Sequence, residues 1–355
     1  MTFNSPRALV MSAGLALLGC VADRASTTDP AARQPWPGVD DVRTVDDRGV
    51  FAGNMSGLVY DMDDPAAPTV LWAVRNYPGT LFRLVQRDGR WSPDTVADWT
   101  RGRALRFTDG GGDVDAEGLT LVGVGAGRGA YIASERDNDQ DDVSRNMVLR
   151  FDPSQTGPTL RPTHSWDLSA DLPVVEPNKG LEAIAWIPDA HLVAAGFVDE
   201  RTGAAYDPAL YTDHGDGLFV VGLEADGAIY AYSLDHRTST ALRVARVPSG
   251  LRAVMALEYD EATRELWAHC DDVCDNTAHV LAVDTAAAGA TRGRLVVRAR
   301  YARPATLPNS NIEGFTIAPR RACVNGQRPV IWADDSETGG HALRSATLPC
   351  PTAER

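Results

Sequence analysis

Five times along the chain the same five-residue pattern returns, and this internal repeat restricts the fold more than any single motif does. Ser56–Tyr60 (SGLVY), Glu117–Leu121 (EGLTL), Glu182–Trp186 (EAIAW), Met255–Tyr259 (MALEY) and Glu313–Ile317 (EGFTI) align without gaps, at spacings of 61, 65, 73 and 58 residues. The second position is always small, the third apolar and the fifth bulky, an alternation expected of a strand. Second-strand cores follow at Leu71-Trp72-Ala73, Tyr131-Ile132-Ala133, Val193-Ala194-Ala195, Leu266-Trp267-Ala268 and Ile331-Trp332-Ala333. Third strands then carry Leu81–Leu84, Met147–Phe151, Leu218–Val221, Val280–Val283 and Ala342–Arg344. Turn residues such as Asp88-Gly89 and Asp226-Gly227 separate them, and no stretch of helix length has a 3.6-residue period. In-phase units of this kind bury their apolar faces on one another, so the expected fold is an all-β β-propeller of five blades. Six blades stay open, because the third unit is longer and carries the insertion Glu200–Gly217. Nothing after Cys350 supplies an outer strand for the last blade. Residues Val39–Val50 fit that place, closing the ring and removing an open sheet edge.

The N-terminus points to a compartment. Ala8–Gly19 is an apolar run behind Arg7, about 12 residues long and too short to span a bilayer. It fits the hydrophobic region of a secretory signal and ends in Leu17-Leu18-Gly19-Cys20, which resembles a bacterial lipobox. The expected organisation is a lipoprotein signal peptide over 1–19, a flexible tether over 20–37 behind a lipidated Cys20, and a single propeller domain over 38–355. A lipid on Cys20 makes the membrane a partner through an anchor and places the protein in the cell envelope, on an extracytoplasmic side. Outside the cytoplasm, the even set Cys270, Cys274, Cys323 and Cys350 reads as two disulfides. Of three pairings, the expected one closes a small loop with Cys270–Cys274 and pins the C-terminal strand with Cys323–Cys350. The 34 Lys+Arg against 48 Asp+Glu give a net charge of −14. That acidic balance argues against nucleic acid, which needs clustered cations. A monomer is expected.

The blade openings resemble those of the SdiA-regulated and phytase-like β-propellers, a group described as having esterase-like activity of phytase. The likeness lies in Met55-Ser56-Gly57-Leu58, Ala116-Glu117-Gly118-Leu119, Asn178-Lys179-Gly180-Leu181-Glu182-Ala183-Ile184 and Ile312-Glu313-Gly314-Phe315, and covers roughly residues 50 to 350. It departs at Met255-Ala256 and at Ala183, where glycine is usual. The resemblance implies a propeller of five or six blades, an extracytoplasmic setting and often calcium.

Innermost propeller strands converge on a central channel, so the first repeat position should bring Glu117, Glu182 and Glu313 toward one axis. Like charges at short range repel and raise one another's pKa unless a cation joins them. Either a hard dication such as Ca2+ sits there, with Asn54, Asp115 and Asn311 as further oxygen donors, or the acids cap backbone groups. Arg75, Arg136, Lys179 and His269 lie at or beside the ends of inner strands and could receive an anionic ligand. Gly-x-Ser-x-Gly, His-Glu-x-x-His and phosphate-loop patterns are absent. The function expected is a calcium-binding propeller presenting its channel mouth to a small-molecule or peptide ligand without catalysis. The alternative is a metal-dependent esterase or phosphoesterase at the same mouth, as the resemblance implies.

Overall fold

The computed structural model describes Met1 and residues 32–61, 69–96, 98–140 and 142–352. The signal peptide, Cys20 and most of the tether lie outside the described residues. Among the described residues no helix is long and apolar enough to cross a membrane.

Five sheets, antiparallel apart from a short parallel pairing of Thr159–Leu160 with Arg103–Leu105, stand around one axis. The five repeat segments form their innermost strands: Met55–Asp61, Val114–Val122, Leu181–Pro188, Ala256–Asp260 and Ile312–Ile317. Each inner strand neighbours the next around the ring, and the fifth returns to the first. Five buried apolar clusters lie between successive blades, one at each interface. Five interfaces that close a circle exclude a sixth blade. The Trp residues that recur in the second strands, Trp72, Trp267 and Trp332, are all buried at these interfaces.

The third blade corrects one sequence expectation. Val193-Ala194-Ala195 is not a strand; it ends a helix, Asp189–Ala195. The local signals for a helix are present: Pro188 before it, Asp189 in its first turn, and Gly196 after it with a left-handed φ of 66°. The blade's second strand is instead Gly217–Leu223, followed by Ala228–Leu234 and Ala241–Pro248. Between the inner strand and Gly217 the chain thus holds the helix and a small hairpin, Val198–Asp199 with Ala204–Ala205 at the start of the insertion, rather than a blade.

Ring closure occurs as expected and extends further toward the N-terminus. Val39–Thr44 pairs antiparallel with Leu343–Pro349 as the outer strand of the fifth blade. Residues read from the sequence as the end of the tether are also built in. The Gln34 N–H donates to Arg300 O at 2.7 Å, and its carbonyl accepts from Ala302 N at 2.8 Å. Trp36 wedges between Trp267 and Trp332, with ring centroids at 5.9 and 5.3 Å. The strap therefore bridges the fourth and fifth blades. Disulfides join Cys270 to Cys274 and Cys323 to Cys350, so neither Cys270 nor Cys274 is available as a thiolate ligand.

The small second repeat position has a steric cause. A Cβ on Gly57 would lie 2.6 Å from Leu119 N, and one on Gly118 would lie 2.6 Å from Ile184 N. Each glycine lets the inner strand of its blade touch the backbone of the next. The third-position side chains Leu58, Leu119, Ile184, Leu257 and Phe315 then fill the waist of the channel. A void of only about 10 Å³ remains there, room for at most one water. The channel is closed at its middle and has two separate mouths.

Candidate functional site: a buried carboxyl cluster at one mouth

The first mouth lies at the N-terminal ends of the inner strands. In four of the five blades the pairing register slips at the first repeat position, between Met55 and Leu58, Ala116 and Gly118, Leu181 and Ala183, and Ile312 and Gly314. A bulge re-aims the side chain it carries, and here it brings Glu117, Glu182 and Glu313 into one electrostatic neighbourhood. The fourth blade, with Met255-Ala256, pairs without a slip there. In the first blade Ser56 takes the position and donates its Oγ–H to Glu117 O at 2.6 Å.

Two more carboxyls complete the group. Asp115, Glu117 and Glu135 are all buried and hold one ligand oxygen each within 4.8 Å of the others. Asp115 also pairs with Arg136 at 2.5 Å. Glu135 accepts from the Gly180 N–H at 2.8 Å and lies in hydrogen-bond range of Glu182. Asp115 and Glu135 share the Arg136 guanidinium, at 2.5 and 3.9 Å. Burial, then the field of their neighbours, pushes Glu117 and Glu182 well above the usual carboxylate range. Burial followed by the charge of Asp335 does the same to Glu313. Glu135 rises to about 7, chiefly through burial, and burial also raises Asp115 against the pull of Arg136. Without a cation the group must keep protons near neutral pH.

The donor set suits a hard dication. It is all oxygen, with no thiolate or imidazole, which favours calcium or magnesium over zinc. Polar atoms are also left without hydrogen-bond partners: Asp115 Oδ1 and Glu313 Oε2 have none. Buried polar atoms in that state are costly unless something satisfies them.

The remaining residues singled out from the sequence are placed as follows. Asn311 donates its amide to Glu313 Oε1 at 2.8 Å and to Asp335 Oδ2 at 3.1 Å. Asn54 sits at the rim and donates to Tyr77 O at 3.1 Å. Lys179 is paired with Glu224 at 3.1 Å. Arg75 donates to Phe51 O, Pro78 O and Thr80 Oγ1. His269 is not brought to the cluster. It is buried against Phe315, centroids 3.9 Å apart, and burial lowers its pKa to about 3, keeping it neutral.

Glu135, Glu224 and Asp335 escaped the sequence reading, although a signal existed. Each lies two residues after a small second-strand residue, Ala133, Gly222 or Ala333, in register with the inner strand's small position. Placing the third blade's second strand at Val193 hid this second acidic repeat.

The family model described as Phytase-like: Esterase-like activity of phytase matches residues 51–337. No curated protein matches the chain. Solved structures with some likeness include the periplasmic gluconolactonase PpgL of Pseudomonas aeruginosa, at 17% identity and a TM-score of 0.36, covering 84% of this chain and 72% of that one. Another is an exo-1,5-alpha-L-arabinanase from a bovine ruminal metagenomic library, at 10% identity and a TM-score of 0.41, covering 83% and 92%. No inference about chemistry follows from overlaps this loose.

Proposed function

The chain belongs to the phytase-like family described by esterase-like activity of phytase, and from that premise we propose a propeller that binds a divalent cation, calcium first, at its acidic channel mouth and holds an oxygen-rich ligand there. The observation that supports this most is the buried trio Asp115, Glu117 and Glu135, with Glu182 and Glu313 beside it and Arg136 paired to Asp115. Asp115, Glu117 and Glu135 would hold the ion, and Glu182 and Glu313 would hold the surrounding negative field. Arg136 balances Asp115, and Asn311 fixes one oxygen of Glu313. The reading also places the protein at the cell envelope through a lipid on Cys20; replacing Cys20 with Ala should then release it from membranes.

Calcium titration by calorimetry in two buffers of different ionisation enthalpy tests the site. Binding should release protons, because the raised carboxyls lose theirs to the ion. Chelator should lower the melting temperature and calcium restore it. No binding heat and no thermal shift would refute the cation site.

A second reading, hydrolysis, rests on the family description. A bound dication supplies positive charge that polarises an ester or phosphate oxygen. The chain's own cations at this mouth, Arg136 and Lys179, are already engaged by Asp115 and Glu224, which disfavours a heavily charged substrate such as a polyphosphate. Calcium-dependent cleavage of a chromogenic ester that disappears in Glu182→Gln would establish catalysis; absence of cleavage with calcium bound would leave a binding protein.

A further inference from the structure

The opposite mouth is a different kind of place. At the C-terminal ends of the inner strands the channel opens into a funnel of about 660 Å³ lined from all five blades. That volume falls within the range of small-molecule sites. Its open apolar wall is made by the half-buried Val59, Leu121, Trp186 and Tyr259 and by the exposed Val124. Tyr60 also reaches the funnel but is buried, so it backs the wall rather than forming it. His191 meets the Tyr259 hydroxyl at 3.0 Å, and the Trp186 ring packs so closely on Gly217 that a Cβ there would lie 2.5 Å from it. Both rings are therefore held in place.

The charged groups inside the funnel are already taken up. Asp260 forms a buried pair with Arg328, and Arg128 pairs with Asp61. Glu258 is half-buried and held by its Oε1, which accepts from Ile317 N and Thr316 Oγ1, each at 3.2 Å. Its other oxygen, Oε2, is bonded to none of the described residues. Burial pushes this carboxyl up to about 8, so at neutral pH it keeps its proton and has one hydrogen bond to donate. The rim holds both signs: Glu261, Arg320 and Arg321 are all exposed, and Arg321 has a partner of its own. A charged ligand would lose hydration on these walls and meet no unpaired counter-charge at depth. An uncharged one would bury apolar surface and take up the Glu258 proton donor.

We propose that this funnel is a second binding site, separate from the carboxyl cluster, for a small uncharged organic molecule that joins an apolar body to one hydrogen-bond-accepting oxygen. Trp186 and Tyr259 flank the body, and Glu258 meets the oxygen. The closed waist means that the two mouths load independently. The inference does not depend on the cation reading and survives its failure.

The probe is 6-propionyl-2-dimethylaminonaphthalene, an uncharged naphthyl ketone whose emission shifts to the blue in an apolar site. The native protein should bind one equivalent, with equal affinity in calcium and in chelator. 2-Acetylnaphthalene should displace it, and 2-naphthoate, the anion of similar shape, should do so about tenfold more weakly. Val124→Glu, at an exposed wall position outside the core, should weaken binding by about fivefold. Glu258→Leu should weaken it by about fivefold, the worth of one hydrogen bond, whereas Glu258→Gln, which keeps a donor, should bind like the native protein. Unchanged near-ultraviolet dichroism checks the fold of each variant. Absence of stoichiometric binding would overturn the proposal. So would equal competition by 2-naphthoate, full affinity in Val124→Glu or in a folded Glu258→Leu, or loss of binding in Glu117→Gln.

Discussion

The two mouths of the channel are built from the same five strands and differ in almost every property. At one end the first repeat position supplies buried carboxyls, crowded and short of partners. At the other the fifth position supplies the half-buried Trp186 and Tyr259, in a funnel of about 660 Å³ whose rim carries Arg320, Arg321 and Glu261. The inner-strand register separates them: a bulge re-aims the acids where a strand begins, and four positions later the chain is regular again. One repeat unit, read at its two ends, gives a crowded acidic mouth and a wider, part-aromatic one. The waist of Leu58, Leu119, Ile184, Leu257 and Phe315 keeps the two apart.

The largest effect should come from the waist itself. Gly118→Val sets side-chain atoms against the Ile184 backbone and should cost about 3 kcal/mol or more in urea unfolding, with both mouths lost together. If either site persisted at full strength, the close approach of inner strands would not be what organises them.

Next is the pH dependence of the metal-free protein. Glu135 rises from 4.5 to about 7 in the folded state, so between those values the native protein binds more protons than the unfolded chain. Stability is fully present below about 4.5 and falls as pH rises through 7, by roughly 3 kcal/mol from this group alone. Saturating calcium should flatten the curve. In the metal-free protein Glu135→Gln should remove this group's share of the fall, leaving the funnel untouched. Metal-free stability that rises from pH 5 to 8 would contradict the crowding described here.

The last test lies in the funnel. Burial raises Glu258 to about 8, helped by Asp260 on its own strand and opposed by Arg328 and by donors from Thr316 and Ile317 of the fifth blade; Tyr60 of the first blade lies within its field. Neutral in the folded state below about pH 8, the carboxyl adds stability that is present below its ordinary value and lost as pH rises through 8. Glu258→Gln should remove that share of the pH dependence of the melting temperature, and a profile unchanged by the substitution would contradict it.

Phase and order of the repeat were legible in the chain because propeller blades bury their faces on one another, so each blade must restate the same small, apolar and bulky positions. From this follow the five blades, the closure expected of Val39–Val50 and made by Val39–Thr44, and the shared position of Glu117, Glu182 and Glu313; the disulfide pairs were read separately, from cysteine number and setting. Trp36 was not legible. It stands in a polar, proline-containing segment, and only the juxtaposition of Trp267 and Trp332 gives it a place. Nor was the helix Asp189–Ala195, whose apolar run looks like a strand when the repeat is imposed on it. Glu135 became part of the site only when its strand met the bulge beside Asp115, and the funnel only when five distant aromatic and apolar positions converged. Sequence alone determined which residues face the axis, since periodicity is a local property. The tertiary structure decided which of them share a neighbourhood, and which end of the axis is charged, because those depend on register and burial across blades.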